Sequence, residues 1–461
     1  MEGAGLIGSI DLVAREATLF AAIWFLVGGI DDLLVDLVYL VRRARGWLRA
    51  EAMADLPETI PDGRIAVFVA AWDEAEVIGK MLRAALERFD HADYRLYVGT
   101  YPNDPGTIGC VAEVAAEDAR VRLVIGPRPG PTTKADCLNA LWRALLRDEA
   151  VDGRVAAVLL HDAEDVVHPQ ELRVVAWALA AHDAVQMPVL PLPDPSSRFV
   201  AGHYCDEFAE AHAKQLPVRQ AIGAGLPLAG VGCAIRRGML ERIAAARGGS
   251  PFDEGSLTED YELGLTVAAM GGRTLFARVA ERPGGRPVSV RAFFPAAFGA
   301  AVKQKGRWMT GIALAGWDRT GWGAPTALGD HWMRMRDRRV TLAMPVLAIA
   351  YVALLLWGFS LVGHAFARVS PAPLHPAVRE LLGVNMALLG WRVVVRTAFV
   401  WRAYGWRHAS LAPLRMIVAN AIALLAARRA LFSYLRMLGG GVPQWDKTRH
   451  HFPDEPDIVA A

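Results

Sequence analysis

The residues able to do chemistry gather in five short clusters. His161-Asp162-Ala163-Glu164-Asp165 follows an apolar run, Val155–Leu160. Carboxylates gathered at the end of a buried strand can share a site with an anionic ligand only if a hard divalent cation, Mg2+ or Mn2+, bridges their oxygens. On an extended stretch Asp162 and Glu164 point to one side, and the adjacent Asp165 is the alternative ligand. Thr258-Glu259-Asp260 reads locally as a helix start, a threonine cap with acids in the first turn. Trp72-Asp73-Glu74, directly after the apolar run Ile65–Ala71, reads the same way. Asn103-Asp104-Pro105-Gly106 is turn chemistry. Gln304-Lys305-Gly306-Arg307-Trp308 reads by itself as an amphipathic surface helix.

The stretches between these clusters supply the scaffold. Tyr94–Thr100 and Val121–Ile125 are strand-like, while Glu74–Phe89, Lys134–Arg147 and Gln170–His182 carry helical periodicity. This alternation predicts an α/β fold, a mostly parallel Rossmann-like sheet covered by helices. In such sheets ligands bind beyond the carboxyl ends of strands, where the acidic clusters fall. The two ends of the chain are more apolar. Leu19–Val41 is long enough to span a bilayer, and Arg42, Arg43, Arg45 and Arg49 come directly after it. By the positive-inside rule that end is cytoplasmic and the N-terminus outside. Asp31, Asp32 and Asp36 then lie in the inner half, where acids must face protein, with Arg392 or Arg396 as expected partners. No cleavable signal peptide is expected. Leu342–Val362 reads as a second span and Leu381–Trp391 as part of a returning helix. Met416–Ala427 is short enough to suggest a re-entrant or interfacial helix. Hydrophobic residues make up 53% of the 461 positions and the net charge is only +2, which gives no footprint for nucleic acid. The four scattered cysteines fit buried small hydrophobes in a reducing compartment.

Taken in order, the clusters resemble the catalytic core of membrane-embedded family 2 glycosyltransferases, the group of cellulose, chitin and hyaluronan synthases. The resemblance implies a GT-A-like domain. In that family the acidic strand end is the D-x-D position, here with Glu164 where Asp is commoner. Asp260 corresponds to the general base, with Glu259 beside it. Arg307 would face the diphosphate, and Trp308 would stack on the acceptor sugar beside Gln304. Glu74, Asp104 and Lys134 take the positions that bind the nucleotide-sugar, Asp104 by reading the uracil ring. Trp445 and Thr448, in Gln444–Arg449, resemble a gating loop that closes over the nucleotide, and the adjoining His450 and His451 are expected to be solvated. Asp31-Asp32-Leu33, His161 to Pro169, Tyr204 to Phe208, Phe294-Pro295 and Trp445 to Pro453 resemble a narrower group, the phage adsorption protein B family.

The domains expected are a membrane helix with its basic flank at 1–50, a cytoplasmic catalytic domain at 55–325, a membrane domain at 330–438, and a gating tail at 439–461. The implied activity is inverting transfer from a UDP-sugar to a growing surface polysaccharide at the bacterial inner membrane. It is expected to be processive and linked to an outer-membrane export partner. The alternatives are single transfer to a lipid-linked acceptor and a non-catalytic membrane scaffold with a vestigial transferase domain. The best-known members of the narrower group carry a further cyclic-dinucleotide-binding domain. Only a short tail lies beyond the last apolar segment here, so regulation through such a domain in the same polypeptide is not expected.

Overall fold

The computed structural model describes residues 2–47, 51–53, 56, 63–91, 93–282, 285–441 and 450–453. A long helix α1 (Glu2–Ala44) opens the chain, with the short strand β1 (Glu51–Ala52) after it. The chain then alternates β2 (Ile65–Ala70), α2 (Ile78–Arg88), β3 (Tyr94–Thr100), α3 (Pro105–Glu117), β4 (Val121–Ile125), α4 (Lys134–Asp152), β5 (Ala157–Asp162) and α5 (Glu171–Ala181). It continues with β6 (Ala184–Gln186), α6 (Val200–Glu210), a π-helical turn (Ala211–Gln215), α7 (Leu216–Ala221), β7 (Cys233–Arg236), α8 (Arg237–Ala246), α9 (Glu259–Ala269), β8 (Thr274–Phe276) and β9 (Val279–Ala280). Seven strands form one sheet in the order β4-β3-β2-β5-β7-β6-β8. Within it β7 alone runs antiparallel to its neighbours. β1 pairs with β9 in a separate two-stranded ribbon.

The central strands are apolar throughout because both faces are covered. Along β2, Ile65, Val67 and Val69 join one core, while Ala66, Phe68 and Ala70 join the other. Cys137, Cys205 and Cys233 are buried free thiols, and Cys110 is half-buried. The expected βαβα rhythm is present, and the strands Tyr94–Thr100 and Val121–Ile125 have the bounds read from the sequence.

The remaining helices are α10 (Phe298–Met309), a second π-helical turn (Thr310–Leu314), α11 (Ala315–Thr320), α12 (Leu328–Arg338), α13 (Val340–Ala367), α14 (Pro376–Tyr404), α15 (Trp406–Ala409) and α16 (Ala412–Leu438). Among the described residues, four helices are long and apolar enough to cross a membrane: Leu6–Ala44, α13, α14 and α16. The apolar stretch read as a 12-residue segment is part of a 27-residue helix, because flanking arginines and polar residues continue it. α1 packs against both α13 and α14. Its acids face protein, as expected for charge at that depth. Asp32 pairs with Arg392 at 2.7 Å and also with Arg336 and Arg339. Arg396 departs from the expectation and binds Glu210 at 2.8 Å, and Asp36 instead takes Lys214 and the Trp391 indole.

Candidate active site

The sheet's carboxyl edge opens into a cavity of about 510 Å³. Glu74, Lys134, Asp162, Glu164, Asp165, Glu259, Asp260, Gln304, Arg307 and Trp308 all line it. These residues come from separate segments spread over more than 230 positions of the sequence, and the fold brings them together.

β5 delivers the acidic cluster, in a manner the sequence did not foretell. The strand ends at Asp162 and the chain turns at Ala163–Glu164 instead of alternating onward. The Asp165 carboxylate folds back to accept from the Asp162 N–H at 3.0 Å and from His161 Nδ1 at 2.7 Å. His161 is fully buried, and its Nε2 meets Glu171 at 2.8 Å. Burial opposes its charge, but Glu171 and Asp165 outweigh that and push the imidazole up to about 10. The turn is thus fixed from behind by a carboxylate–imidazolium–carboxylate chain. Asp162 and Glu164 are left facing the cavity.

His450 corrects the expectation of a solvated histidine. Its Nδ1 lies 2.8 Å from Glu74 and 3.2 Å from Glu164. Phe452, 3% exposed, is embedded in the main core and anchors this stretch. His451 sits with its ring 5.9 Å from that of Phe293. Glu74, Glu164 and His450 offer three ligand atoms within 4.8 Å of one another. Burial and the neighbouring carboxylates push Glu164 up to about 8. An excess of buried negative charge with convergent oxygen and nitrogen donors fits a divalent cation.

Lys134 begins α4, whose N-cap Thr133 accepts from the Asp136 N–H at 3.3 Å. Its ammonium bonds to Asp162 and lies 3.4 Å from the Gly230 carbonyl. Gly230 has φ +76°, and a Cβ there would lie 2.6 Å from Asp260 Oδ2, so only glycine allows this approach. Burial and Asp260 push Glu259 up to about 7, and burial raises Asp260 against the pull of Lys134. Gln304 and Arg307–Trp308 stand one turn apart on α10. Trp308 meets Tyr204 edge-on, with ring centroids 6.1 Å apart. Gln304 Oε1, Arg307 Nε and Thr258 Oγ1 are buried without a hydrogen-bond partner among the described residues.

Asp104 is not part of the cavity lining. Its carboxylate caps α3, accepting from the Thr107 N–H at 3.2 Å, and accepts from the Asp73 N–H at 2.6 Å. Asn103 clamps the Gly130 backbone through two hydrogen bonds. Trp445 and Thr448 lie outside the described residues.

Known proteins resemble this chain in sequence and in fold. Residues 61–311 match the family described as "Glycosyltransferase like family 2". The bacteriophage adsorption protein B of Escherichia coli (strain K12) is 35% identical over 458 residues, covering 94% of this chain and 61% of the relative. The bacteriophage N4 adsorption protein B of Escherichia coli O157:H7 gives the same figures. This chain therefore spans 61% of the length of these relatives. The mannosyltransferase PcManGT from Pyrobaculum calidifontis, solved in complex with GDP-Man and Mn2+, shares the fold. Its TM-score is 0.54 at 17% identity, covering 93% of this chain and 99% of that one. The family match takes in more than half of the chain and all the clustered residues up to Trp308, and with it this protein belongs to the family 2 glycosyltransferases.

Proposed function

We propose that this enzyme transfers a sugar from a UDP-sugar, with inversion, to a growing surface polysaccharide at the inner membrane, with its catalytic domain in the cytoplasm. The observation that carries the reading is the set of unpaired buried polar atoms, Gln304 Oε1, Arg307 Nε and Thr258 Oγ1, around the cavity that holds Asp260. Buried polar atoms without partners are costly, so a polar ligand supplies the missing bonds. The Asp260 carboxylate takes the proton of the acceptor hydroxyl as that oxygen attacks the anomeric carbon. The bond from that carbon to the diphosphate breaks, and UDP leaves with the charge that Arg307 faces. Trp308 offers a ring face for the acceptor sugar. Glu74, Glu164 and His450, with Asp162 adjacent, would hold Mg2+ or Mn2+, which supplies charge neutralisation of the diphosphate.

Processive extension and export through an outer-membrane partner are part of this reading, with the long apolar helices as their support. The first test is to incubate membranes with a panel of UDP-sugars, with GDP-sugars as the control arm, and to follow nucleoside diphosphate release. Release with one UDP-sugar, abolished by chelation and restored by Mg2+ or Mn2+, is expected. Release only from GDP-sugars, or full release in excess chelator, overturns the donor or the metal assignment respectively.

A further inference from the structure

Helix α16 is 27 residues long, about 40 Å at 1.5 Å per residue, so length and composition alone permit it to cross a bilayer. Its packing argues otherwise. Arg415 in its first turns donates to the Arg198 carbonyl at 2.7 Å and to Asp206 on α6 at 2.9 Å. In the middle, Ile422 packs with Tyr204 and Ala301. Arg429 methylenes lie against Gly306 of α10, where a Cβ would come within 3.1 Å. Near the end, the Tyr434 hydroxyl donates to Asp318 on α11. The first, middle and last turns all rest on the catalytic domain. A helix crossing a hydrocarbon core of about 30 Å would carry one end away from it.

The opposite face has a distinct chemistry. Arg415, Ile422, Ala426 and Ala430 are buried. Leu414, Ile417, Leu425, Phe432 and Leu435, on the other side, are 41–63% exposed. Spacings of three, seven and eight put these five side chains on one stripe. Arg428 is an exposed charge among them. α16 also packs against α13 and α14, two helices long and apolar enough to cross a bilayer, so the stripe lies beside apolar helices.

The chain beyond α16 gives a third argument. His450 returns to the cavity beside Glu74. If α16 crossed, residues 439–449 would have to come back through hydrocarbon. Eleven residues at about 3.3–3.6 Å each reach across only as a largely extended segment, since a helix of that length spans about 16 Å, and an extended lone segment leaves its backbone unpaired in lipid.

We propose that α16 lies along the membrane surface on the catalytic-domain side, its apolar stripe inserted among the acyl chains of that leaflet. The membrane is then crossed by α1, α13 and α14, and both ends of α16 stay with the catalytic domain. The helix becomes a lipid-bearing brace behind α10, which carries Gln304, Arg307 and Trp308.

The test uses the full chain with Cys110→Ser, leaving three buried cysteines. Single reporters are added at Ser410→Cys and Gly439→Cys, either side of α16. Val151→Cys on the catalytic domain and Val369→Cys in the loop between α13 and α14 serve as references. A membrane-impermeant maleimide should label positions 410, 439 and 151 from one side and 369 from the other. Labelling of 439 with 369 overturns the proposal. In bilayers, a fluorophore on Leu425→Cys should be quenched by brominated acyl chains and spared by iodide. Quenching by iodide shows a stripe in water. Cross-linking of Leu425→Cys between two copies shows a subunit contact. Either result sinks the lipid assignment.

Discussion

Asp260 sits among charges of both signs, and that balance sets how the site responds to pH. Replacing it by Asn keeps the shape and removes the base. Transfer should fall about 10²–10⁴-fold while UDP binding survives. Near-normal transfer by Asp260→Asn would move the base to Glu259. The raised carboxylates give a second expectation. Burial holds Asp260, the proposed base, above the usual carboxylate range against the pull of Lys134. Activity should therefore fall on the acid side along a limb that lies above the usual carboxylate range. Glu259→Gln removes the neighbouring charge and should shift that limb downward, a change read from kcat/KM against pH at saturating Mg2+. A limb that stays in place would separate Glu259 from the base. The sequence exposed these residues because each cluster is contiguous, and most of them end a strand or start a helix. His450 was hidden, since its place depends on Phe452 finding the core, a tertiary event without a local pattern. Asp104 serves the turn that the sequence shows, which is compatible with the nucleotide role that the resemblance implies. Turn chemistry and nucleotide recognition ask for the same residue type, and here backbone N–H groups claim its carboxylate.

Between residues and fold, the π-helical turn Thr310–Leu314 joins α10 to α11 and lies against the Thr258-Glu259-Asp260 segment. π-turns inside helices often mark functional sites, because the wider turn rotates the next residues to a new bearing. Gly311 lies here with Thr258 directly against it. A Cβ at Gly311 would come 2.5 Å from Thr258 Oγ1 and 2.6 Å from Cγ2. Gly311→Ala should therefore push Thr258-Glu259-Asp260 aside without touching the acidic turn. A shift approaching 1 Å costs transfer about 10²-fold, while UDP affinity stays near that of the unmodified enzyme. Equal kcat would show that the loop gives way freely. This contact was invisible in the sequence, where Thr258 and Gly311 are 53 positions apart and neither belongs to a periodic pattern. The helices were easier to read than their ends. α4 runs five residues past the predicted Arg147, to Asp152, with Gly153 at φ +84° ending it. α16 more than doubled the apolar segment, since Arg415 and Arg428 interrupted the hydropathy without interrupting the helix.

At the scale of the whole molecule, buried charge pairs fasten the catalytic domain to its membrane helices. Asp36 of α1 and Glu210 of α6 both hold Lys214, and Glu210 also takes Arg396 of α14. Asp206 takes Arg415 of α16 at 2.9 Å. α6 and its π-turn thereby present a charge to three membrane-domain helices. On the other side of α6, Glu207 pairs with Lys305, whose ammonium lies 5.7 Å from the Trp308 ring centroid. Composition pointed to acids needing partners, and Arg392 was found, but Lys214 lies far outside the membrane segments and carried no signal. The energetics of such pairs are asymmetric. Removing one partner of a buried pair typically costs about 3–5 kcal/mol, because a charge is stranded, whereas replacing both by apolar residues of similar volume is often neutral or better. Asp36 and Lys214 are 7% and 5% exposed at their side chains, so the rule applies to them. Asp36→Leu alone should lower the unfolding temperature of the detergent-solubilised protein sharply. Asp36→Leu combined with Lys214→Met should recover part of the loss. The recovery is partial because Trp391 also donates to Asp36, at 2.8 Å, and loses its acceptor in both variants. A double variant as unstable as Asp36→Leu would mean that Glu210 depends on Lys214 too strongly for the pair to be separable. A single variant with unchanged stability would mean that Glu210 alone keeps Lys214 neutralised and that α1 is held by the pairs of Asp31 and Asp32 with Arg336, Arg339 and Arg392.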